Sequence, residues 1–472
     1  MGNKRITSKV ITGLMVASMT ISSSGAVYAT DTGNSSSSTS TISDTGVSSG
    51  VPTLPPDNGG TNPPGLGGGE DTSVTSGPAE YLLSGQTVTL ANQEIAATDT
   101  NESIVKVTDG GNLTLTNSKL TKTGDTSADG SSNFYGLNAG VLATAGSKIT
   151  LKDASINTSA SGSNSVFATG EGAYIEVSNI AIKTTKDSSR GLDATLGGTV
   201  IGKNVNINTE GAHCGGLATD RGGGTVSVAN SSVSTAGEGS PGIYSTGAIS
   251  ATDSSFKATG SEAAVIEGRN SITLTNCSLS GALKHGVMIY QSFSGDAEVG
   301  KGTFTMTGGS LKAAVGPLFY SINTDAVIDI KGVGLENPSG KLLTASADRW
   351  GTTGSNGANV DFTADSERLK GDITCDSIST IIATLKNGTA LEGSINAENT
   401  AKSVALNLDS TSTWSVTRTS YIARLTDSDA TLANIKDNGN TIYYDSSANS
   451  WLNGKTYTLT DGGSLVPINN IV

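Results

Sequence analysis

Apolar and polar residues alternate along this chain in short bursts rather than in helical stripes. Ser271–Gly281 reads SITLTNCSLSG: Ile272 and Leu274 stand at period two, an Asn interrupts, and Leu279 follows in a second short run. The same texture returns as NLTLTNSKLTKTG from Asn112, KITLKDASINTSA from Lys148 and YIEVSNIAIKTT from Tyr174, then from Thr199, Thr225 and Ala248. Period two with turn residues between the runs predicts strands, each with one face in a core. A third run precedes each pair, with anchors Leu142, Phe167, Leu192, Leu217, Ile243, Val265 and Val287 spaced 22 to 26 residues apart. After an insertion the pattern resumes at Leu318 and Leu343. A fixed short period without a helical stripe predicts an all-β solenoid whose coils, of three strands each, stack about 4.8 Å apart.

Between the second and third strands the chain turns sharply within one residue. The residues there are Asn117, Asp153, Asn179, Asn204, Asn230, Asp253 and Asn276, followed by Gly308 and Gly332. Asn and Asp tolerate the left-handed region better than other side chains, and Gly enters it freely. Stacking predicts a file of amides and carboxylates bonded along the axis, each bond contributing about 1 kcal/mol. The core contributions of the third strand are single apolar residues, among them Ile156, Ile182, Ile207, Val233, Phe256 and Leu279.

These coils and their Asn file resemble the right-handed parallel β-helix of the pectate-lyase-like superfamily over residues 79–345. The segment 406–444, LNLDSTSTWSVTRTSYIARLTDSDATLANIKDNGNTIYY, is similar to the late passenger region of pertactin-like autotransporter adhesins. That resemblance implies that residues 346–472 continue the helix and cap it. The membrane barrel of autotransporters, which needs about eight or more alternating strands, has no counterpart before Val472. Open strand edges invite polymerisation, so both ends are expected to be capped. The expected caps are residues 81–98 at the start and the segment holding Trp414, Trp451 and Tyr457 at the end.

The first 29 residues read as a secretory signal peptide: Lys4, Arg5 and Lys9, a short apolar stretch, and small residues before Thr30. Residues 30–78, rich in Ser, Thr, Gly and Pro, read as a disordered tether with too few apolar groups to offset ordering entropy. The net charge is −13, and −16 once the three leader cations are gone. That balance excludes nucleic acid as a partner, and no later run is long enough to span a membrane. Cys214, Cys277 and Cys375 are far apart and predict buried apolar packing rather than a disulfide framework or a zinc site.

Candidate binding residues follow the anchor run. Glu171, Arg221, Arg269 and Gln291 each fall four positions past an anchor and are expected in one column, with Glu267 and Tyr290 beside it. The insertion at 291–302 breaks the coil rhythm and is the loop expected to carry specificity. The two histidines, His213 and His285, are too few for a His-rich metal site. No metal or cofactor is expected; Ca²⁺ enters only if the chain is a polysaccharide lyase, as the superfamily resemblance allows. The expected function is therefore contact: a monomeric, secreted or cell-surface, adhesin-like β-helix facing glycans or a surface partner. The alternative is a polysaccharide lyase or glycoside hydrolase acting on an acidic polysaccharide in a lateral groove.

Overall fold

Alternation leaves each short strand with one apolar face, and no single coil can bury that face alone. In the computed structural model, which describes residues 71–469, the coils solve this by stacking. The result is an all-β parallel solenoid of about 16 turns, 52% strand and 3% helix, its sheets not closed into a barrel. Twelve strands from Ala79–Ser84 to Asp372–Cys375 stack in chain order as the first sheet. The second and third strands of a coil are often one bent element, as in Tyr174–Thr184 and Thr199–Thr209. These two pair in parallel on both sides of the bend, Ile175 with Val200 and Ile182 with Ile207. The stacking runs on through 346–472, with Leu391 beside Trp414 and Ile442 beside Leu465.

The core is one column of inward side chains. Leu113, Ile149, Ile175, Val200, Val226 and Ile249 follow one another, all buried. Each such burial contributes about 1.5–3 kcal/mol. Further along the column aromatic residues take over, with Phe319 between Phe304 and Phe362 at ring distances of 6.1 and 5.7 Å.

Register in the first sheet corrects four anchors. The inward column runs Val141, Val166, Leu192, Leu217, Ile243, Ala264, Val287, Phe319 and Leu343. Leu142, Phe167 and Val265 lie one residue along, in the outward column with Asp193, Tyr244 and Met288, and Leu318 lies one residue before its strand. A one-residue slip exchanges the faces of a strand. It escaped detection because the outward residues here are apolar too: they are covered by chain outside the coil.

The corner residues adopt the expected backbone. Asn117, Asp153, Asn179, Asn204, Asn230, Asp253 and Asn276 have φ between 50° and 54°, and Gly308 and Gly332 have 66° and 62°. The file also starts earlier and ends later, with Asn92, Ser366 and Asn387 at φ 58°, 62° and 59°. Asn204 Nδ2 donates to Asn179 Oδ1 at 2.9 Å, Asn179 Nδ2 to Asp153 Oδ1 at 2.9 Å, and Asn117 to Asn92. The link from Asn276 to Asp253 is longer, 3.3 Å.

Two inner files of hydroxyls line turns, one beside the Asn corner and the other at the turn before the first strand of each coil. Val205 N–H donates to Ser231 Oγ, and Ser231 N–H to Ser254 Oγ. Cys277 holds the next place, its Sγ 3.3 Å from Thr275 O. In the second file Ser163 N–H donates to Ser189 Oγ, Ser189 N–H to Cys214 Sγ at 3.1 Å, and Cys214 N–H to Ser240 Oγ. Cys214 and Cys277 thus stand where neighbouring coils use Ser, as hydrogen-bonding groups and not only as apolar filling. All three cysteines are buried and free. Burial pushes the Cys214 and Cys375 thiols up to about 12.

The ends differ from expectation. Residues 81–98 are not a separate cap but most of the first full coil, whose strands Ala79–Ser84, Thr87–Ala91 and Glu94–Ala97 pair only with the coil that follows. Trp414 is wholly buried in the column, its indole N–H donating to Gly393 O. The C-terminal cap is built by Trp451 and Asn449, which satisfy the Leu425 carbonyl and N–H. Beyond them Tyr457–Thr458 adds an antiparallel strand on Ser464–Ile468. The leader and most of the tether lie outside the described residues. The tether's last part, 71–78, lies against the body: Ser131 N–H donates to Asp71 O, and Lys106 Nζ to Ser76 Oγ and Gly77 O.

Candidate functional site

Two excursions from the coil rhythm cover the outward face of the first sheet. One carries the short helix Asp129–Tyr135, whose Phe134 is buried. The other is the insertion at 291–302. Three strand-end side chains fasten this insertion. Glu267, wholly buried, accepts from Tyr244 and Tyr290 hydroxyls through Oε2, both at 2.8 Å, and from Ser292 and Ser294 through Oε1. Arg221 donates to Asp296 Oδ1 from Nε and Nη2 at 3.2 and 3.0 Å. Arg269 pairs with Glu298, and its N–H donates to Glu298 O. The Arg221 guanidinium also lies 3.7 Å over the Phe134 ring, so one side chain ties the helix to the insertion. Trp350, from the next long turn, packs on the Tyr290 ring at 4.8 Å.

Beneath Arg221 lies a buried ion triad. Arg190 reaches Asp193 at 2.8 Å and Asp220 at 2.7 Å, all three side chains at most 4% exposed. Burial alone would pull the guanidinium down, but Asp220 and Asp193 outweigh it and move it up. Burial pushes Asp220 up to about 7, against Arg190 and with the help of Asp296 and Asp193. Asp193 is raised for the same first reason. Two buried carboxylates share one cation, so the second is short of compensation. Burial, with Glu267 next, also raises the Tyr244 and Tyr290 hydroxyls well above their ordinary range.

The expected single column does not exist. Arg221 and Gln291 do stand four positions past the inward residues Leu217 and Val287. Glu171 and Arg269 stand five past Val166 and Ala264, because their anchors were one residue off. The structure still gathers five of the six residues: Arg221, Glu267, Arg269, Tyr290 and Gln291 all sit at or under the insertion. Glu171 lies apart and exposed, beside Gly197. Glu267, Tyr290 and Gln291 are buried, so they hold the loop and do not themselves present a surface. Sequence reasoning missed Asp296 and Phe134, Arg221's partners 75 and 87 residues away. Only the register error's own cause, apolar outward residues, hinted that something covered this face.

Open concavities lie elsewhere: one faces the third strands from Ser232 to Glu336, and another runs along the corner between second and third strands. One stretch is lined by Asn92, Glu94, Asn117, Lys119, Asp153, Ser155 and Asn179. The next is lined by Asn204, Asn206, Asn230, Ser232, Asp253, Ser255, Asn276 and Ser278. Between them they follow the file over eight coils, from Asn92 to Asn276, with amides, carboxylates and hydroxyls recurring once per coil. Among the described residues no three His, Cys, Asp or Glu side chains are placed to share a metal ion. No helix among them is long and apolar enough to cross a membrane. Comparison with known proteins returns no matching family model, curated protein or solved structure.

Proposed function

We propose that this chain works by contact, as an extracellular or cell-surface, adhesin-like β-solenoid that takes an extended polysaccharide along its corner groove. The carrying observation is that groove: exposed Asn, Asp and Ser side chains at a constant repeat, on a rigid column. A linear glycan offers hydroxyls at a repeat of its own, and many weak hydrogen bonds along a preorganised track add without ordering cost on the protein side. The acidic balance of the chain favours neutral or basic glycans over acidic ones. The reading keeps the resemblance to pectate-lyase-like helices and pertactin-like passengers, and it rests secretion on the leader. The chain acts as a monomer in it, with neither nucleic acid nor membrane span.

A glycan array followed by titration of the best neutral polysaccharide tests this. Asn206 and Ser255 are exposed groove residues. Asn206→Ala with Ser255→Ala is expected to weaken binding about tenfold, the loss of one or two hydrogen bonds, while leaving the unfolding midpoint unchanged. Unchanged affinity sinks the groove reading.

The second reading, a lyase or hydrolase on an acidic polysaccharide, draws support from Asp220, a carboxyl that burial pushes up to about 7, next to Arg221. It requires the insertion to lift. Turnover of acidic polysaccharide, with or without Ca²⁺, that disappears in a folded Arg221→Ala or Arg269→Ala variant would replace the first reading with this one.

A further inference from the structure

Among the described residues, the first coil leaves the solenoid open at its start. Its three strands are paired on one side only among the described residues. Three of its core side chains are partly uncovered: Val88, Leu90 and Ile95 are half-buried, whereas Leu113, Leu115 and Leu120 in the next coil are 0 to 1% exposed; Leu83 and Ala97 of the first coil are buried. At the other end Trp451, Asn449 and an antiparallel strand close the column. An edge with free N–H and C=O groups above a partly open apolar core is a template for an added strand.

Charge selects the occupant. The first coil carries Glu80, Glu94, Asp99 and Glu102 and not one Lys or Arg between residues 79 and 102. The chain's own preceding segment, 30–78, carries Asp31, Asp44, Asp57, Glu70 and Asp71 and again no Lys or Arg. A second copy would bring the same acidic edge. Residues 71–78 lie against Lys106 and Ser131 rather than on this edge; the rest of that segment and a second copy would set acid against acid, and the cations of residues 1–29 are read as removed with the leader. We propose that this edge is a docking site for an extended, basic polypeptide segment of a partner protein, which adds as a strand and sets Lys or Arg against Glu80 and Glu94. The site is separate from the corner groove and stands or falls without it.

Hydrogen exchange on the chain from Thr30 onward, with and without a ten-residue peptide alternating Val and Lys, tests this. Amides of Ala79–Ser84, Thr87–Ala91 and Glu94–Ala97 that lack partners are expected to exchange freely alone and to slow at least tenfold with peptide. Glu80→Gln with Glu94→Gln, both at exposed or half-exposed positions, is expected to weaken the peptide at least fivefold, as is 0.5 M salt. Protection in the free chain at every concentration means its own segment fills the edge, and protection that grows with concentration means a second copy does; either overturns the proposal. So does a free edge that ignores the peptide, whose acids then only prevent self-association.

Discussion

Asp220 is where burial and charge conflict most. Its carboxyl is shared with Asp193 around one guanidinium, and its folded value, about 7, lies above the unfolded carboxylate value. A group raised on folding stabilises the fold in its protonated form, and that contribution is lost as pH rises through the folded value. Stability is therefore expected to fall from about pH 4, the unfolded carboxylate value, to about pH 7, where it levels off, by at most about 1.4 kcal/mol per pH unit. Urea unfolding at a series of pH values measures it. Asp220→Asn, which cannot titrate, is expected to flatten the profile; a wild-type profile already flat there would show that the triad holds no extra proton. The sequence shows all three members of the triad as polar residues around the first-strand run, but not that they meet. Arg190, Asp193 and Asp220 are ordinary strand-end residues until register brings two coils together and the helix Asp129–Tyr135 and the insertion cover them. Cys214 is a similar case: its role as a Ser substitute is visible only once Ser189 and Ser240 stand on either side of it.

The coil was legible because its period and its corner chemistry agree. Alternation fixed the inward faces of the second and third strands, and Asn or Asp at the bend fixed the path. The first strand was harder to place, since Phe167, Val265 and Met288 face outward yet are buried. An apolar residue on both faces removes the signal that sets register. The corner gives a direct test of the backbone argument. Asn204 has φ 54° and one amide bond to Asn179. Asn204→Gly keeps the backbone and loses the bond, so a cost of about 1 kcal/mol is expected. Asn204→Val forces a β-branched residue into the left-handed region and is expected to cost about 1–2 kcal/mol more. Equal costs for the two, measured by urea unfolding, would mean that the file works through its side-chain bonds alone.

For the molecule as a whole, the two ends decide whether a stack of parallel coils stays single. A solenoid gains stability coil by coil, and every exposed end offers an edge on which another copy can continue. The first coil meets this with four acidic residues and the last with a cap. The Trp451 indole N–H donating to Leu425 O, at 2.9 Å, and the Leu425 backbone N–H donating to Asn449 Oδ1, at 2.8 Å, close one of the last strand edges. Both partners come from the turn at 446–456, which folds over the strand Arg424–Asp427. Trp451→Ala with Asn449→Ala frees that backbone and the Ala423 carbonyl, while Trp414, deeper in the column, keeps its own bond to Gly393 O. Sedimentation velocity is expected to show the parent chain at one size across concentrations and the variant shifting to larger species as concentration rises. High salt should enlarge the shift, because it screens the net negative charge that otherwise keeps copies apart. If the variant stays single at all concentrations, then charge alone keeps the ends apart, and Trp451 and Asn449 serve the stability of the last coil rather than its solitude.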